Sequence, residues 1–226
     1  MNIAIVTGSS SGIGKEIALR LLRLGFKVIG ISRTNNITND NFEHMSADLS
    51  DNRAVIKLIN KLQSYDAKIL VNSAGFGVFE PHEELSITTI TSMVQLNLTT
   101  PMMLSNALLR KLKKNDGYLI NINSIEALRA SKFAGVYSAT KAGLKAFGDA
   151  LFEETRKSKL SITNINPDMT QSNFYDKLRF DVSDKENEKL LASDIADALE
   201  HIVTMRKGAV VSEYTMRALN FGIKKR

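Results

Sequence analysis

Between Thr7 and Gly14 the chain reads Thr-Gly-Ser-Ser-Ser-Gly-Ile-Gly, and its flanks decide what these glycines can be. Before them runs an uncharged, β-branched stretch from Asn2 to Val6, the pattern of a strand buried on both faces. After them apolar residues recur at Ile13, Ile17, Leu21 and Leu24, one face of a helix. Strand, glycine-rich turn and helix together leave unpaired N–H groups and the positive end of a helix dipole aimed at one spot, an anion site. The glycines have separate tasks: Gly8 for the turn, Gly12 for close backbone approach to a pyrophosphate, Gly14 for tight helix–strand packing. A Ser/Gly-rich surface loop is the plainer alternative. The placement between a buried strand and an amphipathic helix favours nucleotide binding, with Ser10, Ser11 and Ile13 completing the cradle.

Strand-like and helix-like segments then alternate to the end of the chain, which predicts an α/β domain built on a parallel sheet with helices on both faces. Strands are expected at Lys27–Ile31, Glu43–Ala47, Lys68–Val71, Gly117–Ile122 and Leu160–Ile165, with a last one at Ala209–Val211. Long helical patterns cover Ser86–Lys114 and Val136–Lys157, and Ser193 is placed to cap the last helix. Residues 168–191 are charged and poorly periodic, long enough for a lid over a site. At 226 residues and 43% hydrophobic content, a single domain with a sizeable core is expected. No stretch reaches the ~18 apolar residues of a membrane span. The absence of cysteine excludes disulfides and thiol chemistry and, with a strand at the second residue, leads us to expect a cytoplasmic protein. The +6 charge raises nucleic acid as a partner, but the basic residues are scattered, and Lys224-Lys225-Arg226 reads as a tail.

Strand exits carry polar or small residues at Gly8, at Asn72-Ser73-Ala74-Gly75 and at Asn123-Ser124, and such exits form the ligand crevice of an open parallel sheet. Tyr137 and Lys141 are four apart on a helix and therefore share a face. A neighbouring ammonium favours phenolate, bringing the tyrosine toward the working range of an acid/base. Pro101 follows Asn97 by four residues and has no N–H to give the Asn97 carbonyl.

Together, Thr7-Gly8-x-x-x-Gly12-x-Gly14, Asn72–Gly75, Asn97, Ser124 and Tyr137-x-x-x-Lys141 resemble the signature set of the short-chain dehydrogenase/reductase family, in order and in spacing, over residues 2–205. The resemblance implies a Rossmann-type, doubly wound sheet of about seven strands, a nicotinamide dinucleotide and a carbonyl or alcohol substrate. It implies Tyr137 as general acid/base, Ser124 as the group orienting the substrate oxygen, Lys141 on the ribose hydroxyls and Asn97 anchoring a water. By the same resemblance Asp48, Leu49, Asn72, Ser73, Ala74, Gly75, Pro167, Asp168 and Ser172 line the cofactor, and relatives pair into dimers or tetramers. Departures are Ser73 for a second Asn, Asn123 for a second Ser, Asp168 for the usual Gly and Ser172 for the usual Thr. After the second strand stand Ser32-Arg33, with no acid for a ribose hydroxyl, so NADP(H) is expected over NAD(H). The alternative is a catalytically weak NADP(H)-sensing or scaffold protein on the same fold. Phe76, Val78, Ile125, Glu126, Phe133, Met169, Phe174 and Tyr175 are the expected pocket walls.

Overall fold

The computed structural model describes residues 1–225. In chain order its strands are β1 (Ile3–Thr7), β2 (Lys27–Ser32), β3 (Phe42–Ser46), β4 (Ala67–Asn72), β5 (Tyr118–Ile122), β6 (Ser161–Pro167), β7 (Thr170–Gln171), β8 (Phe180–Val182), β9 (Leu190–Leu191), β10 (Glu213–Met216) and β11 (Ile223–Lys225). Its helices are α1 (Gly12–Arg23), α2 (Asn52–Leu62), α3 (Ile87–Val94), α4 (Thr100–Lys114), α5 (Gly135–Thr155) and α6 (Ala192–Thr204). Seven strands form one sheet in the order β3-β2-β1-β4-β5-β6-β10, with every pairing parallel. The order reverses between β1 and β4, the topological switch point at which ligands bind in such sheets.

Side-chain alternation along the strands sorts the core into two layers. Ala4, Val6, Ile69, Val71, Ile120 and Ile122 face Ile17 and Leu21 of α1 and Ile195 and Leu199 of α6. Ile5, Leu70, Leu119 and Ile162 face Val55 of α2, Leu104 and Leu108 of α4 and Leu151 of α5. Toward the carboxyl ends of the strands this second face turns polar. Asn72, Asn121, Asn123, Asn164 and Asn166 are all buried. Asn72 donates to Asn121 at 3.0 Å, and Asn121 and Asn123 each donate to Asn164 at 3.2 Å. Asn164 in turn donates to Asp149 at 2.9 Å on α5. The helix can lie this close because residue 148 is glycine: a Cβ there would fall 2.4 Å from the Asn164 Oδ1.

Three expectations are corrected. The last strand of the sheet is Glu213–Met216, with nothing strand-like at Ala209–Val211. An edge strand needs only one apolar face, and Tyr214 and Met216 supply it, whereas Val211 merely packs beneath the sheet. Ser193 lies inside the first turn of α6; the Leu191 N–H is instead taken by the Asp194 carboxylate at 2.8 Å. The basic tail is in part a strand, since β11 pairs antiparallel with β8 and Lys224 bridges to Asp184 at 2.9 Å. Arg226 lies outside the described residues. Residues 168–191 thus hold short paired segments, β7 with β9 and β8 with β11. The small residues Ala139, Ala146 and Ala150 of α5 are exposed, while its buried face carries Tyr137, Thr140, Lys141, Leu144, Gly148 and Leu151.

Candidate active site

The glycine turn has the geometry its spacing predicts. Gly8 and Gly12 hold positive φ of 72° and 53°, the left-handed region that costs other residues energy. A Cβ on Gly14 would stand 2.3 Å from the Gly8 carbonyl oxygen, so no other residue fits there. The Thr7 hydroxyl accepts from the N–H of Ser73 at 2.9 Å and of Ala74 at 3.0 Å, stitching the end of β1 to the loop after β4. The motif's Thr7 has this role beyond its place in the spacing, and its signal in the sequence is a hydroxyl at the last position of an apolar strand. Ser11 precedes α1 with no side-chain cap, and the first turn carries no acid, so its N–H groups are available to a phosphate.

Gly75 lies against both Asn97 and Lys141: a Cβ there would sit 3.2 Å from Asn97 Oδ1 and 3.5 Å from Lys141 Nζ. Asn97 is fully buried and locked by a reciprocal pair, donating to the Phe76 carbonyl at 2.8 Å and accepting its N–H at 3.1 Å. The helix there widens into a π-turn over Gln95–Thr99, where the Thr100 N–H reaches Gln95. Pro101, which lacks an N–H, follows directly on that turn.

Ser124 ends the exit of β5, its hydroxyl accepting the Glu126 N–H at 3.2 Å and drawing the Tyr137 phenol down. Tyr137 is 6% exposed and Lys141 5%. Lys141 donates to the Ile122 carbonyl at 2.8 Å and lies 5.9 Å from the Tyr137 ring centre. Burial pushes the phenol up to about 12, against the pull of Ser124 and with the Glu126 carboxylate adding to the rise. This reverses the expected depression of the phenol by Lys141. The rings of Phe79 and Phe174, 5.4 and 5.6 Å from Tyr137, dry the group, while the ammonium is turned to a backbone carbonyl. The same burial lowers Lys141 to about 8, leaving it mainly protonated at neutral pH. Glu126 is buried too, but donors from Ser131, Ser138 and Arg129 outweigh burial and hold its carboxyl below the ordinary range.

Of the expected walls, Phe174 and Tyr175 do cluster over Tyr137, together with Phe79 and Phe180, which the sequence did not single out. Phe133 points elsewhere, 46% exposed at a φ of 66°. At the opposite rim Ser32 is buried, its hydroxyl donating to the Thr34 carbonyl at 2.7 Å, and Arg33 is exposed. Arg33 does have an acid nearby, contrary to expectation. The exposed Asp48 carboxyl is lowered by hydrogen bonds from Ser50 and, to a lesser degree, by the Arg33 charge. Leu49 is buried and its carbonyl accepts from Thr100 at 2.8 Å. Asn72 turns into the sheet toward Asn121, away from the crevice side of its loop. Pro167 is buried, Asp168 half-buried, and Ser172 stands against Gly12, where a Cβ would meet its own at 3.0 Å.

The family model for short chain dehydrogenase matches residues 2–183. The chain belongs to the short-chain dehydrogenase/reductase family. It is accordingly an oxidoreductase acting on the CH–OH/C=O pair. An uncharacterised oxidoreductase of Staphylococcus aureus (strain MRSA252) is 30% identical over 226 residues, 95% of this chain and 96% of that one. Among solved structures, an alcohol dehydrogenase from the archaeon Thermococcus sibiricus, complexed with 5-hydroxy-NADP, superposes with a TM-score of 0.85. Its identity is 24%, covering 97% of both chains. A 4-hydroxyisoleucine dehydrogenase complexed with NADH and succinate gives a TM-score of 0.84 at 22% identity, covering 96% of this chain and 97% of that one.

The Lys141 shift has a signed consequence. Below pH 8 the amine is protonated in both folded and unfolded chains, and folding bears the cost of burying it. Between about 8 and the ordinary 10.5 only the unfolded chain keeps the proton, so stability contributed by this site rises with pH. Urea midpoints from pH 8 to 10 should therefore rise for the wild type relative to Lys141→Met; a flat difference across that window would contradict a desolvated ammonium.

Proposed function

We propose that the protein is an NADP(H)-dependent oxidoreductase in which Tyr137 exchanges the proton as carbonyl and alcohol interconvert. The observation that carries this reading is the convergence of Ser124, Tyr137 and Lys141 beside the loop at Gly75, which is itself stitched to the glycine turn by Thr7. The residues fit a dinucleotide: the uncapped first turn of α1 suits phosphates, and Lys141, close to Gly75, suits ribose hydroxyls. When bound, the nicotinamide supplies or accepts the hydride. Tyr137 then donates to, or accepts from, the substrate oxygen, and Ser124, beside the phenol, orients that oxygen. Lys141, held by the Ile122 carbonyl, stays beside Gly75, and Asn97 holds the loop at Phe76 in place. Tyr137→Phe keeps the ring packing and should retain NADPH binding while carbonyl reduction falls by roughly 10²–10⁴-fold. Reduction at the wild-type rate would overturn the mechanism. Binding without turnover of any ketone, aldehyde or quinone by the wild type would favour the NADP(H)-sensing alternative.

Preference for NADP(H) is supported by Arg33, an exposed guanidinium past β2 suited to a 2′-phosphate. Relatives of this fold have been solved with both NADP-type and NADH ligands, so the preference rests on this residue. Arg33→Ala should weaken NADPH binding and leave NADH binding nearly unchanged; equal effects on both in a titration would remove the argument.

Residues 168–191 act, in this reading, as a lid, since Phe174 covers Tyr137 from a segment whose strands make only two-stranded pairings. Amide exchange there should slow when NADPH and substrate are added, and unchanged exchange would count against closure. Assembly into a homodimer or homotetramer is supported by the exposed small residues of α5 and by the groove between α2, α4 and α5 lined by Ile59, Met102, Met103 and Phe147. Light scattering at micromolar concentration should report at least a dimer, and a monomer would reject this. No helix among the described residues is long and apolar enough to cross a membrane. The absence of cysteine supports a cytoplasmic location.

A further inference from the structure

The mouth of the site carries charges that proton exchange does not use. Asp168, at the exit of β6, has a side chain only 9% exposed, and its Oδ2 accepts from Arg217 Nε at 3.2 Å. Its Oδ1 accepts the Met169 N–H at 2.9 Å and faces Arg129 Nη2 at 3.9 Å. Arg129 is fixed from behind, its Nε donating to Glu126 Oε1 at 3.1 Å. Both guanidiniums are thus held through Nε, and among the described residues neither makes a hydrogen bond through its terminal nitrogens. The two side chains remain 40% and 58% exposed.

That arrangement is a poor clasp and a good receptor. A guanidinium that only fastens two segments gains most by giving its two-pronged edge to the carboxylate. Here that edge makes no hydrogen bond on either arginine, only the 3.9 Å ion pair of Arg129 with Asp168, while the two acids set their positions. Glu126 has little left to offer a ligand, having taken donors from Ser131, Ser138 and Arg129. The pair is also well placed. Glu126 receives the Ser138 hydroxyl at 2.9 Å, next in sequence to Tyr137, and its N–H reaches Ser124 at 3.2 Å. Arg129 therefore stands one hydrogen-bonded residue away from the oxygen-orienting serine.

From this geometry we propose that Arg129 and Arg217 form a subsite for a carboxylate on the substrate, which makes the substrate class a hydroxy acid and its oxo acid. The class rests on the redox reading above; the subsite itself does not. Its test uses the full chain with NADP+, titrated calorimetrically at fixed ionic strength with succinate and with succinamide, its uncharged counterpart. Succinate should bind the wild type about tenfold or more tightly than succinamide, the size of one charge-assisted hydrogen bond. Arg129→Gln and Arg217→Gln should each remove most of that preference and leave succinamide binding unchanged. Arg129→Lys keeps the charge but loses the fork, and serves if Arg129→Gln does not fold; it too should lose preference. Equal binding of acid and amide by the wild type, or undiminished preference in the arginine variants, overturns the subsite. Reduction of oxo acids against their amides is read separately, and Tyr137→Phe should abolish it while keeping the succinate preference. Acid preference without any reduction would overturn the redox reading alone, and reduction of acid and amide alike would overturn the subsite alone.

Discussion

At the end of β1 one hydroxyl and two missing methyl groups hold three strands and a helix in contact. Thr7 accepts two N–H groups from the loop after β4 and donates to the Val71 carbonyl at 3.3 Å, while the Gly8 N–H reaches Ile31 on β2 at 2.8 Å. Any side chain at residue 8 would approach the Ala74 backbone to 3.0 Å, and one at residue 14 would collide with the turn itself. The direction of α1 and the course of residues 72–75 are therefore set by the same few contacts. Asn97 and Lys141 in turn pack on Gly75, so the surroundings of Lys141 inherit their placement from the glycine turn.

The sheet that carries this turn is apolar through its middle and polar at its exits on one face. Backbone pairing satisfies the strands but leaves the side chains of Asn121 and Asn164, neighbours in register, to satisfy each other. Buried amides are costly when unpaired. Here Asn72, Asn121, Asn123 and Asn164 form a connected row that ends on Asp149.

Much of this could be read from residue types alone. The strand–glycine–helix unit, the parallel order and the Ser124, Tyr137, Lys141 set were legible because each depends on local pattern or on residues with few other uses. What escaped depended on contacts distant in sequence. β10 was missed because an apolar triplet, Ala209–Val211, outshone an alternating edge strand whose partner is β6. The strand at Ile223–Lys225 was read as a charged tail because its pairing partner lies 43 residues earlier, at Phe180–Val182. Phe79 and the direction of the Tyr137 shift were hidden for the same reason, since both follow from rings gathered out of separate loops. The charge on Asp168 was visible, but its two arginine neighbours were not, one lying after β5 and the other after β10.

A phenol held high and an ammonium held low are two results of one dry pocket. Each is shifted toward its neutral form, because a low-dielectric surrounding penalises either charge. Groups that bring polar atoms beside Tyr137 and Lys141 therefore move the two pKa values in opposite directions at once, the tyrosine down and the lysine up. The rings that keep the pocket dry differ in how firmly they are held. Phe79 follows the loop that Asn97 pins at Phe76, whereas Phe174 sits in a one-turn helix between β7 and β8, both of them short. Phe174 is thus the ring that can withdraw at least cost, since few ladder bonds restrain it. One of the rings that dry the Tyr137 phenol thus comes from residues 168–191. Asp168 begins that segment and holds Arg217, so the aromatic cover of Tyr137 and the seat of this arginine belong to one stretch of chain.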